Sequence, residues 1–422
     1  MWCRKRIDIA WSDLAAGLAG VIFRFQREPL EHAIEKAWTN SDRAVVSCLS
    51  VRSGWDLWLG ELDLPKGSEV LMSAMTIPDM ADIAMGHGLV PVPLDLDPVT
   101  AVPTPETLRQ AITPKSRLVL IAHLFGSRAD LNPHIELAHE RGLLFAEDCA
   151  QAYVGPQFVG HSQADASLFS FGTIKTNTAL GGGVLHLRDA DLCQQLKDRQ
   201  AQYPSQSRTH YARRLLKYSG LKFLSLYPLF ALFTRICRLA GIDHGALLNR
   251  SVRGFAGTPD IERFRFQPSV PLLALIARRL QRPDRKHIEQ QREKGERLNR
   301  QICSVSKCPG HKALSHHYWV FPVITDLPRE LISYLHQQGF DATQGESMRI
   351  VKRPDDSPAR EPIASQQLLD QMVYVPMYPQ LTDKAVDRLA EVLLQFFADH
   401  SPNPSMAPPM PEEARLQEAK EA

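Results

Sequence analysis

The sequence predicts an α/β protein: a large domain on a mostly parallel sheet, followed by a smaller carboxyl-terminal α+β domain. Three observations predict it. From about residue 44 to 190, short apolar runs alternate with helical patterns, and strand–helix alternation implies a parallel sheet covered on both faces. A long helical pattern over 270–303 then links this region to a second one of mixed texture. Finally, LLFAE at 143–147 delivers an acid, Asp148, at its end, where parallel α/β sheets place their ligands.

In chain order, residues 1–40 read as a helical arm. SEVLMSA, LVPVPLD, RLVLIAH, LLFAE and the stretch 166–171 read as strands of the large domain, 41–270. PETLRQAI reads as a helix, with Thr104 as its cap and Pro105 at its first position. The 270–303 helix is expected to break near Pro283. The carboxyl-terminal domain, 271–400 with that helix, carries strand-like YWVFPVI (318–324), helix-like RELISYLHQQGF (329–340) and the amphipathic DKAVDRLAEVLLQFF. From 401 to 422 the chain is Pro-rich and then charged, with too few apolar groups to pack, so disorder is expected.

The segment 208–253 departs from this pattern. It holds nine Lys/Arg residues against one acid, Asp243, around an apolar run at 215–239. Lys222 and Pro228 puncture that run, which predicts two short helices broken at Pro228 rather than one spanning helix. A cationic, aromatic, amphipathic pair suits a membrane interface. It equally suits a hairpin buried in a dimer interface or over the active site.

Composition narrows the function classes. Forty-nine basic and 47 acidic residues give a net charge of +2, no basis for nucleic-acid binding. The seven cysteines are scattered, odd in number and without a CxxC pair, against a disulfide framework or structural zinc site; no metal is expected. Cys149 reads as a small buried hydrophobe. The amino-terminal apolar run is short and interrupted, so no cleavable signal is read and the cytoplasm is the expected compartment.

The stretch 143–183 carries the chemistry. An acid, Asp148, ends one strand; 27 residues on, Lys175 follows a second strand, and Gly181-Gly182-Gly183 come next. Pyridoxal phosphate chemistry needs these parts. A carboxylate holds the pyridine nitrogen protonated, a lysine forms the Schiff base, and hydroxyl or backbone donors hold the phosphate.

In EDCAQAY and SLFSFGTIK the chain resembles the DegT/DnrJ/EryC1/StrS aminotransferases, whose signatures are EDxAQ and SFxxxK. Stretches 66–98, 112–131 and 373–393 resemble further segments of that family, so the likeness covers roughly 44–190 and, more weakly, 260–395. The resemblance implies a fold-type-I pyridoxal phosphate enzyme, usually a homodimer that aminates nucleotide-linked keto-sugars. It implies Lys175 as Schiff-base lysine and proton carrier, and Asp148 as partner of the pyridine nitrogen. Gln151 would contact the phenolic oxygen, and Ser170 the phosphate. Ser53 would add a hydroxyl and Arg52 a charge where a helix start cradles that phosphate. His123 matches a family histidine and reads as structural or catalytic alike.

Three departures from the family pattern stand out. Ala179-Leu180 replace the acid before the glycines, Ile77 stands where an aromatic stacks on the ring, and the family's NYR.S segment has its nearest counterpart at 265–269. The function expected is amino transfer from an amino acid to a keto or aldehyde acceptor, a sugar nucleotide or a lipid-linked molecule. The rivals are lyase or dehydratase chemistry on the same scaffold, and a non-catalytic regulatory or membrane-associated descendant.

Overall fold

The computed structural model describes residues 1–38, 44–242 and 261–400, with Gly245 and Leu247 between them. The tail at 401–422 and, apart from those two residues, positions 243–253 of the insertion lie outside the described residues. Elements are numbered here in chain order. Seven strands form the main sheet: β1 (Ala44–Cys48), β2 (Glu69–Ser73), β3 (Val90–Leu94), β4 (Ser116–Ala122), β5 (Leu144–Asp148), β6 (Ala166–Ser170) and β7 (Gly183–Leu187). Their spatial order is β1-β7-β6-β5-β4-β2-β3. Only β7 runs antiparallel to its neighbours, pairing Cys48↔Gly183 on one side and Ser170↔Gly183 on the other. The remaining pairs are parallel, as the strand–helix alternation predicts.

Successive strand residues point to opposite faces, so one apolar run feeds two cores. Val70, Leu118, Ala146 and Leu168 pack with Trp55 and Trp58 of α3 (Val51–Leu62) and Ile83 of α4 (Pro78–Gly86). Leu71, Val119 and Phe145 pack with Leu108 of α5 (Pro105–Ala111) and Ile135 of α6 (Asn132–Glu140). Polar caps start several helices. Ser50 accepts from the Ser53 amide at α3, and Thr104 from the Thr107 amide at α5, with Pro105 at the first position as expected.

The amino-terminal arm is helical: α1 is Trp11–Ile22 and α2 is Arg27–Trp38. Both pack on the helix that follows the insertion. That helix breaks near Pro283 as expected, into α10 (Val270–Gln281) and α11 (Arg285–Ile302). Between them in sequence lie α7 (Ala190–Ala201) and the two insertion helices, α8 (Arg208–Leu224) and α9 (Tyr227–Leu239). The sequence placed their break at Pro228, but the chain bends by 90° at Ser225-Leu226 and Pro228 sits in the first turn of α9. A proline there forfeits an amide that has no helical partner anyway, so it starts a helix instead of ending one. No single helix among the described residues is long and apolar enough to cross a membrane.

The carboxyl-terminal region has its own core. Strands β8 (Phe321–Ile324) and β9 (Met372–Val375) pair antiparallel and pack with α11, α12 (Pro328–Gln337) and α14 (Asp383–Asp399); α13 is Ile363–Gln371. Helix α14 buries Val386, Leu389, Leu393 and Phe396 along one stripe, each contributing ~1.5–3 kcal/mol. The expected strand 318–324 begins only at Phe321, because Tyr318 adopts a left-handed φ of 50° and turns the chain. That turn sends Trp319 toward the large domain.

Candidate active site

The site forms at the carboxyl ends of β1, β5 and β6, whose next residues meet above the sheet. Asp148 ends β5 and Ser170 ends β6. Lys175 follows in a tight turn, its amide donating to the Gly172 carbonyl at 3.0 Å. The first turn of α3, just beyond β1, brings Ser50, Arg52 and Ser53 to the same edge. Five of the six residues singled out from the sequence, Asp148, Ser170, Lys175, Arg52 and Ser53, therefore lie at this edge, and the sixth, Gln151, follows Asp148 by three positions.

Their partners assign each a physical task. Asp148 is half-buried, and its carboxylate accepts from the Ala150 amide at 2.9 Å. Burial raises its pKa, although that amide and the charges of Lys175 and His123 oppose the shift. A carboxylate so placed calls for a cationic N–H partner. The Gln151 side-chain oxygen accepts from the Phe125 amide at 2.7 Å. Its NH₂ group is thereby left as the free donor. The Lys175 amine is pushed down to about 8 by burial, with Asp148 opposing and Arg52 assisting.

At the helix start, Ser50 Oγ accepts from the Ser53 amide at 3.2 Å and lies 3.0 Å from Ser53 Oγ. Arg52 donates to Asp79 at 2.6 Å, so part of its charge is already answered. The three glycines serve this corner. A Cβ at Gly183 would lie 2.7 Å from the backbone of Ser50 and Val51, and the Gly182 amide donates to the Leu49 carbonyl at 2.9 Å. Bare glycine backbone is what lets β7 run against the start of α3.

Behind Asp148 lies a buried polar pair. His123 Nε2 is 3.0 Å from Glu147, whose other oxygen accepts from Ser167 at 2.6 Å and the His161 amide at 2.5 Å. Burial opposes ionisation of Glu147, but these bonds outweigh it and hold its carboxyl near 2. His123 is thus packed structurally beneath the site. Cys149 is fully buried beside it, and its thiol, His123 and Glu147 lie within 4.8 Å of one another.

Three residues of the site carry no local sequence signal. Trp319 reaches over from the carboxyl-terminal region, and Lys175 Nζ lies 4.2 Å from its ring centroid. Lys5, from the arm, donates to the Trp319 carbonyl. Arg214 of α8 stacks on Tyr218 at 5.6 Å, and its Nε is buried without a hydrogen-bond partner, 4.0 Å from where a Gly181 Cβ would stand. A cation flagged inside the insertion's run of nine is not distinguishable by sequence from its exposed neighbours.

These residues fit pyridoxal phosphate. An under-solvated carboxylate, an amide donor, a helix start and an orphaned guanidinium nitrogen surround the one amine after β6.

The sequence model of the DegT/DnrJ/EryC1/StrS aminotransferase family matches residues 28–222. Among solved structures, a DegT DnrJ EryC1 StrS aminotransferase from Brucella abortus aligns with TM-score 0.68 and 17% identity, over 91% of this chain and 95% of that one. The sugar aminotransferase CalS13 from Micromonospora echinospora aligns with TM-score 0.66 and 18% identity, over 94% and 100%. NtdA from Bacillus subtilis, solved with bound cofactor PMP, aligns with TM-score 0.64 and 17% identity, over 92% and 83%. These likenesses show that the chain has the aminotransferase fold.

Proposed function

We propose, from the match of residues 28–222 to the model of the DegT/DnrJ/EryC1/StrS aminotransferase family, that the chain is a member of that family and a pyridoxal 5'-phosphate-dependent aminotransferase. The amino donor is an amino acid, and the acceptor is a keto or aldehyde group on a sugar nucleotide or a lipid-linked molecule. The observation that carries this reading is the pairing of an amine, Lys175, lowered to about 8, with a half-buried carboxylate, Asp148, that ends the adjoining strand. Kinship with an aminotransferase family and the fold shared with CalS13 support the sugar-type acceptor.

The chain's residues divide the work. Asp148 would keep the cofactor's ring nitrogen protonated, and the Gln151 NH₂ would be the donor for the ring oxygen. Ser170, Ser53, the α3 amides and the orphaned Arg214 Nε would hold the phosphate, with Arg52 adding what charge Asp79 leaves. The cofactor, when bound, supplies an electron sink that makes a C–H bond next to nitrogen acidic. Lys175 Nζ is the amine that would hold the cofactor. When free, it would be the base that carries a proton from one carbon to another. A pKa near operating pH suits both tasks. Trp319 covers the lysine and excludes water from that face.

The proposal extends to assembly and place. A homodimer, as the resemblance implies, would sit in the cytoplasm with α8 and α9 against the inner face of the membrane. Leu216, Phe223, Leu232, Ile236 and Leu239 are 55–81% exposed among the cations of those helices.

Borohydride reduction of the cofactor-loaded protein, followed by peptide mapping, tests the reading. Label should appear on Lys175 and vanish in Lys175→Ala. Label on Lys5 or elsewhere would remove Lys175 from its role.

A further inference from the structure

The amino-terminal residues 4–8 form a strap over Lys175, fixed at both ends. At one end Arg4 binds Asp341 through two hydrogen bonds of 2.8 and 2.9 Å, beside backbone pairing of Trp2 with Gly339 and Asp341. At the other, the Asp8 carboxylate accepts from the Asn177 amide at 2.6 Å, and the Asp8 carbonyl from Arg279 at 2.8 Å. Asn177 lies two residues beyond Lys175, so the strap is tied directly to the lysine's own turn.

Between these anchors Lys5 and Arg6 line a narrow, solvent-open cleft with Lys175, Thr176, Tyr378 and Gln380. The charges along it do not balance. Lys5, Arg6 and Lys175 are cations, and Lys175 already faces Asp148; Asp8 is the one acid lining the cleft, shared among Asn177, Arg279, His287 and, at longer range, Lys5. Among the described residues neither Lys5 nor Arg6 forms an ion pair. Lys5 has a backbone carbonyl, that of Trp319, as its acceptor. Its ammonium stands 5.7 Å from the same indole that lies 4.2 Å from Lys175. Two like charges therefore lie against one indole, each half-withdrawn from water. Such an arrangement is costly unless an anion joins it. Burial pushes Lys5 down to about 8, Asp8 opposing and Lys175 assisting, which is the cost expressed as a proton affinity.

We propose that Lys5 and Arg6 form a seat for an anionic oxygen group of the substrate, a carboxylate or a phosphoryl group, directly above Lys175. The inference rests on the aminotransferase reading of the site, which it deepens by giving the substrate a charge and a point of attachment. The pre-tied strap adds to affinity, since little of it is left to be ordered on binding. A carboxylate would come from the amino donor and a phosphoryl group from the acceptor; both offer the oxygens that ammonium and guanidinium groups bind.

Calorimetric titration of the cofactor-loaded protein with maleate and with inorganic pyrophosphate tests it. The parent protein should bind at least one probe, and which one identifies the source of the anion. Lys5→Met/Arg6→Met should weaken that binding tenfold or more, whereas Lys5→Arg should hold within about threefold. Should the double variant not fold, Arg6→Met alone should weaken binding by at least threefold. Binding of neither probe by the parent, or equal binding by parent and variants, overturns the seat. Borohydride labelling of Lys175 in the same preparations separates the two claims. Label on Lys175 with probe binding indifferent to Lys5 and Arg6 defeats the seat alone, while Lys5-dependent binding without label defeats the cofactor assignment and leaves the seat standing.

Discussion

Lys175 and Trp319 lie 144 positions apart in the chain and meet face to face, the lysine ammonium 4.2 Å from the indole centroid. The indole N–H donates back to the Ile174 carbonyl at 2.8 Å. One aromatic side chain thus both roofs the lysine and clamps the turn that carries it. The contact adds to the burial that lowers the lysine's proton affinity.

In the cofactor-free protein, Lys175 should react with trinitrobenzenesulfonate with a midpoint near pH 8, against about 10.4 for an ordinary lysine. The sign follows from the cause. Burial disfavours the ammonium, so the proton leaves early, and reactivity appears as pH rises through 8. Lys5, lowered to about 8 as well, should titrate beside it, and peptide mapping resolves the two. A midpoint near the ordinary value would mean that the roof is absent in solution.

Asp148→Asn should load cofactor nearly as the parent does but turn over far more slowly. One well-placed charge in such a site is worth about 2–4 kcal/mol, or roughly a hundredfold to a thousandfold in rate. Single-turnover rates with L-glutamate, compared at equal loading, provide the check; parity would exclude Asp148 from the reacting centre.

Arg214→Met should weaken cofactor retention by about tenfold or more, the scale of one lost charge-assisted hydrogen bond, without altering the absorbance of what remains bound. Dialysis against phosphate, followed by absorbance, measures it. Retention unchanged would return Arg214 to a packing role on Tyr218.

Gly183→Ala should lower stability by roughly 1–3 kcal/mol, because its Cβ would stand 2.7 Å from the Ser50–Val51 backbone. Gly181→Ala, whose nearest neighbour is a leucine methyl at 3.6 Å, should cost less. Urea midpoints for the pair decide it, and the same ranking should hold for cofactor loading.

Replacing Phe223, Leu232 and Ile236 by serine should abolish flotation with anionic liposomes at low salt, and high salt should reduce flotation of the parent. Each cation near such a surface contributes about 1 kcal/mol. A parent protein that stays soluble at low salt would assign those helices to the subunit interface, which sedimentation would then show.

The parts legible in sequence are those with a local signal. The parallel strands announce themselves as apolar runs, and Asp148 and Lys175 by standing alone at strand ends. Strands β1 and β7 are harder: AVVSC and GVLHL are short, and nothing local marks β7 as the antiparallel one. Trp319, Lys5 and Arg214 reach the site across long separations, through a left-handed turn at Tyr318, a strap and an insertion helix. No spacing rule encodes such meetings. Pro228 misled for a specific reason: its missing amide is as compatible with beginning a helix as with ending one.

The placement of β7 also sets a timetable for the newborn chain. Strand β1 is complete by Cys48, yet its one sheet neighbour spans Gly183–Leu187. At a synthesis rate of about 5–20 residues per second, β1 waits on the order of ten seconds for that neighbour to be made. Through that interval the apolar residues Val45 and Val46 lack their mate, and closing so long a loop is intrinsically slow. The lysine turn lies between β6 and β7, so it is shaped only when that closure occurs. A ribosome-bound chain ending before Leu187 would therefore hold Lys175 without a site around it, and cofactor capture should begin only after that strand has emerged.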